Sequence, residues 1–383
     1  MILKTITPAH VGSGNIYSSW EFVKIKDKIY RINFSGIFNI LDEKKKEILL
    51  SDLEKEKNLE VFLEEQKIDI QSLIKKHPTI VKYSIICELN NVDKIREQIK
   101  TNNIPYIPGS SIKGAIREAL IWYYTRNDEN LQKLLRIVEN DLRKRKSKKY
   151  IGNNYIEEFF SLRKNRYDAK YDLMKFLEIS DFMPENCKLI IKNVKTHSLR
   201  SNSLTQKHYN NFVESINGIF KGIIKISPQL KESTKNKKEY PFLEEKLHIL
   251  GLNVDLNEED MVTHLKKILR EFNEWCLNKE IELCKKAKKS DVFLKELNKI
   301  KSQNKEKNLL RIGFGIGTIY QTLIKLIEEK DVKLAQKIVN ELRIGKFRRN
   351  IDFRTNTNLF PPYPKSIEFT TENKPIGWSE WED

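Results

Sequence analysis

A chain of 383 residues with 39% hydrophobic and 10% aromatic residues can bury the cores of two or three domains, which excludes a disordered tail or linker. Its formal net charge of +17 points to a polyanionic partner, nucleic acid before an anionic membrane surface. No apolar run nears the ~20 residues of a membrane span, no secretory leader precedes the first strand-like residues, and Cys87, Cys187, Cys276 and Cys284 form no Cys-x-x-Cys pair, so a cytoplasmic location without a zinc or redox motif is expected.

Ile2–Thr7 reads as a first strand and ends in the glycine-rich loop Pro8–Asn15. Trp20–Ile25 and Lys28–Phe34 read as a hairpin turning near Asp27. Residues 38–63 are charged and helical, and Thr79–Leu89 returns to strand. Residues 104–126 hold a loop and then a helix, and Leu131–Leu142 continues helical. The basic run Arg143–Lys149 reads as a solvated, mobile segment. Leu173–Asp181 and Lys188–Val194 look like a strand pair joined across Met183–Asn186. Phe212–Ile216 and Ile219–Ile226 flank Asn217-Gly218, the usual residues of a tight hairpin turn. Lys231–Lys238 reads as a loop, and residues 258–289 form a long helix with Met261, Leu265, Leu269, Phe272 and Cys276 on one face. A short strand over Leu309–Ile312 then meets a second glycine cluster, with a helix from Thr318. Val332–Leu342 is helical, Arg343–Arg349 is basic, and residues 360–382 are extended, with Trp378 and Trp381 as packing anchors. The order fits two α+β units of similar plan, 1–200 and 201–383, divided in the polar stretch Thr196–Asn211.

The segment Ile107–Arg117 reads Ile-Pro-Gly-Ser-Ser-Ile-Lys-Gly-Ala-Ile-Arg. Pro108-Gly109 supplies a turn, Ser110 and Ser111 can cap a helix, and Lys113 and Arg117 stand one turn apart. A helix N-terminus with two cations suits phosphate, although a well-started helix needs no ligand to explain it. The segment is no nucleotide P-loop, because Ala115-Ile116 stand where Lys and Ser/Thr are required. The cluster Arg311-Ile-Gly-Phe-Gly-Ile-Gly has Gly313, Gly315 and Gly317 at Gly-x-Gly-x-Gly spacing, which is not the dinucleotide fingerprint. It reads either as a tight turn or as a loop whose backbone approaches another chain, with Arg311 beside it. His10 stands before Gly12 and Gly14 without a visible titratable partner, so a hydrogen-bonding role is favoured over a general base. Asp181 reads as a turn cap, and none of the six histidines forms an i,i+4 ligand pair.

Four segments together resemble the RAMP proteins of CRISPR systems: Thr7-Pro-Ala-His-Val-Gly-Ser-Gly, Ile107–Arg117, Leu310-Arg-Ile-Gly-Phe-Gly-Ile-Gly-Thr and Lys374-Pro-Ile-Gly-Trp. The first and last are similar, more narrowly, to the fifth-subunit family of type III-A (Csm) effector complexes, with isoleucine where leucine is commoner in the last. The resemblance implies an α+β chain of two modified ferredoxin-like (RRM-type) domains with helical insertions. It implies a non-catalytic, cofactor-free, RNA-binding subunit that caps the backbone filament at the 3′ end of the CRISPR RNA. Its partners would be that crRNA, the neighbouring filament RAMP subunit, the small helical subunit, and host nucleases that trim the RNA in antiviral defence, with no membrane. The implied guide contacts are Gly109, Ser110, Ser111, Lys113 and Arg117, then Gly12, Ser13, Gly14, Arg311, Gly313, Gly315 and Gly317. Cutting relatives carry an acid in the first glycine-rich loop, and Gly12–Ser19 contains none. The rivals are a RAMP endoribonuclease with His10 as base, processing precursor crRNA, and the RAMP subunit at the 5′ tag.

Overall fold

The computed structural model describes every residue except 56, 145, 148–149, 165–167, 201–202, 254–255, 343–362 and 383. The basic run at 343–349 lies outside the described residues, as do three positions of the run at 143–149.

β1 (Ile2–Thr5) leads through the first glycine loop into β2 (Gly12–Ser18) and the hairpin β3 (Phe22–Ile25) and β4 (Lys28–Ile32). Four short helices follow: α1 (Phe34–Ile40), α2 (Glu43–Glu54), α3 (Leu59–Glu65) and α4 (Ile70–Lys76). Asp42, Asn58 and Asp69 cap the last three through their side chains. The four bury Leu49, Leu59 and Phe62 against Trp20, Ile32 and Ile80, a small core of their own. They are a helical insertion between two neighbouring strands of the sheet, β4 and β5 (Val81–Ile86).

Next come β6 (Lys94–Gln98), the ribbon β7 (Lys100–Thr101) and β8 (Ile104–Pro105), and the helices α5 (Gly109–Thr125), α6 (Asp128–Arg143) and α7 (Asn153–Phe160). Five strands follow: β9 (Leu177–Ile179), β10 (Met183–Arg200), β11 (Ser203–Gln206), β12 (Phe212–Lys221) and β13 (Ile224–Ile226). Helices α8 (Leu230–Lys235), α9 (Leu243–Lys246), α10 (Glu258–Lys285) and α11 (Asp291–Glu306) precede β14 (Leu309–Arg311). The chain closes with α12 (Ile324–Lys330), α13 (Val332–Glu341), β15 (Ser366–Thr370) and β16 (Trp378–Glu382).

The architecture is α+β, as the sequence led us to expect. A twelve-stranded mixed sheet runs in the order β14-β16-β1-β12-β10-β5-β4-β3, with β2, β6, β11 and β15 paired off that path. The main core packs α5, α6, α10, α11, α12 and α13 with one another and with the sheet. Helix α10 lies across α5 and buries Leu265, Leu269, Phe272 and Cys276, the face read from its 3.6-residue period. Strands from both sides of residue 200 share the sheet, with β12 between β1 and β10. Residue 200 itself is the end of β10, which turns back into β11.

Three local readings are corrected. Asn217-Gly218 is no turn: both lie inside β12, opposite Lys188 and Cys187 of β10. The glycine is needed because a Cβ there would stand 1.9 Å from the Asn186 carbonyl, where the ladder slips past Glu185. The supposed pair around Met183–Asn186 does not form either, since β9 pairs with β13 and β10 with β12. Third, 230–235 is the short helix α8 rather than a loop, with Leu230 buried as its anchor.

Candidate nucleic-acid interface

Helix α5 begins at Gly109 with Pro108 as its cap residue, and no serine side chain caps it. The cap comes from elsewhere: the Gly109 N–H donates to Asp181 Oδ1 (2.9 Å), on the connection between β9 and β10. Asp181 therefore caps a distant helix rather than its own turn, and its carboxylate occupies the first anion position of the α5 dipole. Ser110 is exposed and Ser111 half-buried beside it. Lys113 and Arg117 differ sharply. Burial pushes the Lys113 ammonium below its usual value, against the pull of Asp172, and no described carboxylate bonds it. Arg117 is committed: its Nη1 donates to Asp172 Oδ2 (2.8 Å), and its guanidinium lies 3.9 Å from the centre of the Phe160 ring. Arg117 is thus a bracket between α5 and the 160–172 region, not a free phosphate ligand.

The two glycine loops touch. Phe314 N–H donates to the His10 carbonyl (2.7 Å), and a Cβ on Gly313 (φ 88°) would stand 2.2 Å from that oxygen. Gly315 and Gly317 also hold positive φ, 77° and 78°, backbone that residues other than glycine rarely adopt. The C-terminal segment closes the group. Gly377 N–H donates to Pro8 O (2.9 Å), Ile312 N–H to Gly377 O (2.9 Å), and Trp378 N–H to Thr7 Oγ1 (3.0 Å). Arg311, however, is withdrawn from the surface. It is 4% exposed, pairs with Glu280 (2.8 Å), donates to Ile376 O (3.1 Å) and stacks over Tyr320 and Trp378. The attraction of Glu280 holds it charged despite burial, so its role is structural.

Gly12, Ser13 and Gly14 are exposed where β2 bulges away from β6. Sequence reasoning missed their neighbour: Glu97 of β6 accepts from Ser13 Oγ (3.0 Å) and Asn15 Nδ2 (3.1 Å). The loop lacks an acid of its own, yet a carboxylate stands against it, already bonded. Arg96 was missed too; it lies over Phe314 at 5.3 Å, where the glycine loops meet. Neither could be found from sequence, because β6 carries no motif.

His10 is 2% exposed, with Nδ1 2.7 Å from the Glu214 carbonyl oxygen. Since a carbonyl only accepts, Nδ1 carries the proton and Nε2 does not. Burial lowers its pKa to about 4, and Arg96 and Lys100 add to the effect, so the ring is neutral at pH 7. Beneath it, the buried Glu214 carboxylate accepts from Tyr17 (2.7 Å), Tyr83 (2.9 Å) and Gln98 N–H (2.8 Å), and pairs with Lys100. Gln98 Oε1 takes the Val11 N–H (2.8 Å), so this network fastens the loop to β6 and β12.

Between α5 and the second glycine loop lies a cavity of about 440 Å³, lined by Ser111, Gly114, Glu118, Gly313, Ile316 and Gln321 and floored by α10. Burial pushes the Glu118 carboxyl up to about 7, while Arg117 holds it back slightly. The segments at 107–117 and 311–317, two hundred residues apart, thus share one recess, and 7–14 and 374–378 brace its glycine wall. Among the described residues no cluster of three or more His, Cys, Asp or Glu is placed to hold a metal ion, and no helix is long and apolar enough to cross a membrane.

The chain and its fold are similar to known proteins. The chain is 26% identical to the Csm5 protein of the CRISPR system of Methanocaldococcus jannaschii, over 97% of its own length and 86% of that protein. Its fold is similar to the crystal structure of T. onnurineus Csm5, with a TM-score of 0.63 at 18% identity, covering 99% of this chain and 100% of that one. It is also similar to a chain of a Csm–crRNA–target RNA ternary complex from a type III-A CRISPR-Cas system, with a TM-score of 0.64 at 20% identity over 100% and 99% of the two chains. The RAMP superfamily model matches residues 2–320, and the chain belongs to that superfamily.

Proposed function

We propose that this chain is a Csm5-type subunit of a type III-A CRISPR effector complex that binds crRNA without cutting it. It caps the filament at the crRNA 3′ end, abuts the last filament RAMP subunit, neighbours the small helical subunit, and supports trimming by host nucleases. The observation that carries this reading is the recess shared by α5 and the second glycine loop, with the first glycine loop bracing its wall, in a chain of charge +17 similar along its length to Csm5. A guide of variable sequence must be held by its backbone, which calls for amides and point charges rather than base-edge readers. Ser111 and Gly313 can supply them at the recess itself, Ser110, Gly315 and Gly317 from beside it, and Gly12, Ser13, Gly14 and Arg96 from beyond it, while Lys113 stands on the Arg117 face of α5, turned away from the recess. His10 supports the non-cutting reading, since its ring is buried and its proton is held by Glu214 O. We also propose that 1–200 and 201–383 are two RAMP-type units interleaved through one sheet.

Crosslinking with an end-labelled guide in the purified complex tests the placement. Crosslinks to this chain from the 3′ terminal nucleotides are expected, and crosslinks from the 5′ tag overturn it. Metal-free cleavage of a repeat-containing precursor that is lost in His10→Ala overturns the non-catalytic reading.

A further inference from the structure

Phosphates of a bound RNA would meet Ser111 and the Gly313 backbone at the mouth of the recess, but the cavity behind them has another chemistry. Its one unpaired charged group among the described residues is the Glu118 carboxyl, since Glu280 neutralises the Arg311 guanidinium. A phosphate placed inside would face that carboxyl. The remaining walls suit a flat, neutral group. The Phe272 and Tyr320 rings stand edge to face at 6.1 Å, beside Leu269 and Ile316. The buried Asn273 amide spends its Nδ2 on Leu309 O (2.7 Å), which leaves its carbonyl oxygen as an acceptor. A volume of about 440 Å³ lies within the range of small-ligand pockets.

Gly114 adds an independent observation. It sits inside α5, where glycine is unfavourable, yet a Cβ there would meet nothing within 4 Å. Neither a close approach nor a turn requires it. With Ala115 it keeps the cavity wall flat between Ser111 and Glu118, which share one helix face.

We propose that this cavity takes one nucleobase, turned out of the stack of the RNA whose phosphates lie at its mouth, with the Glu118 carboxyl bonding its edge. The proposal rests on the RNA-binding reading above. A carboxyl with a pKa of about 7 is present in both forms at neutral pH. As the acid it offers one O–H and one C=O, the complement of the adenine N1/N6 or cytosine N3/N4 edge. As the carboxylate it accepts from the N1–H and N2–H of guanine or the N3–H of uracil. Such a group holds any base, which suits a guide of variable sequence.

The test measures how tightly the full chain binds a guide-loaded filament lacking this subunit, with guides carrying a single abasic site at successive 3′-proximal positions. In the wild type, one position is expected to weaken binding about tenfold when its base is removed, the usual worth of one base stacked on aromatic groups. Gly114→Leu, which fills the cavity from a position with free space, should weaken the intact guide by the same factor and abolish the effect of that abasic site. Gly114→Ala, which leaves most of the volume open, should bind as the wild type. A flat abasic scan in a filament that binds the chain overturns the cavity proposal alone, as does a position-specific loss that persists in Gly114→Leu. A chain that binds no guide-loaded filament overturns the RNA-binding reading and this proposal with it.

Discussion

The two loop-to-helix junctions of this protein look alike on paper, each placing arginine or lysine beside turn glycines, and the structure uses them in opposite ways. At the second junction Arg311 is 4% exposed and locked to Glu280, so its charge shapes the loop from within. At the first, Lys113 stays half-buried with no described carboxylate bonded to it, and Arg117 is spent on Asp172 and Phe160. A cation near a glycine loop is therefore no measure of affinity for phosphate. What counts is whether a tertiary partner has already taken the charge.

The contrast breaks most visibly at Arg311. Arg311→Met should destabilise the protein by about 3–5 kcal/mol, because Glu280 is left buried and unpaired. Denaturant midpoints measure this, and a loss below about 1 kcal/mol would mean that the charge is not structural. Arg311→Met together with Glu280→Leu should recover much of the loss.

The junctions should also answer pH with opposite sign. His10, bonded through its backbone to the second junction, has its pKa depressed from 6.5 to about 4. The stability it contributes is full above pH 6.5 and lost as the pH falls through 4. Glu118, on the first junction, has its pKa raised from 4.5 to about 7, so its contribution is full below pH 4.5 and lost as the pH rises through 7. Each amounts to about 3 kcal/mol. His10→Gln should flatten the acid limb of the stability curve and Glu118→Gln the neutral limb. A mutant that leaves its limb unchanged refutes the corresponding assignment.

These contrasts mark how far the sequence could be read. Helix α5, the β3–β4 hairpin, α6 and α10 were legible, because their signals are local: periodicity, caps and turn residues. So were the glycine loops as special backbone. The partners were not. Arg311 and Glu280 are 31 residues apart, Arg117 and Asp172 are 55 apart, and the Asp181 that caps α5 is 72 residues from Gly109. Nothing in the spacing announces such pairs. Asn217-Gly218 misled for the same reason: its glycine answers the neighbouring strand's bulge, a tertiary demand that resembles a local one. Glu97 and Arg96 come from a strand without any motif, so the first loop's bonded acid and the cation at the junction of the loops became visible only when β6 paired with β2.

The finest test separates the two cations of α5 itself. Arg117→Ala should lose about 1–2 kcal/mol of stability, since it gives up a charged hydrogen bond and a ring contact that are partly shielded from water. The salt dependence of RNA binding should not change, because that charge is not available to phosphate. Lys113→Ala should do the reverse. Removing an ammonium that burial already disfavours leaves stability unchanged or slightly improved. Binding to RNAs of unrelated sequence should weaken about equally, and the slope of log K against log salt should fall by about one counterion. Equal loss of slope in both variants would show that Arg117 leaves Asp172 when RNA arrives. Loss in Arg117→Ala alone would reverse the assignment, making the paired cation the ligand and the unpaired one the bystander.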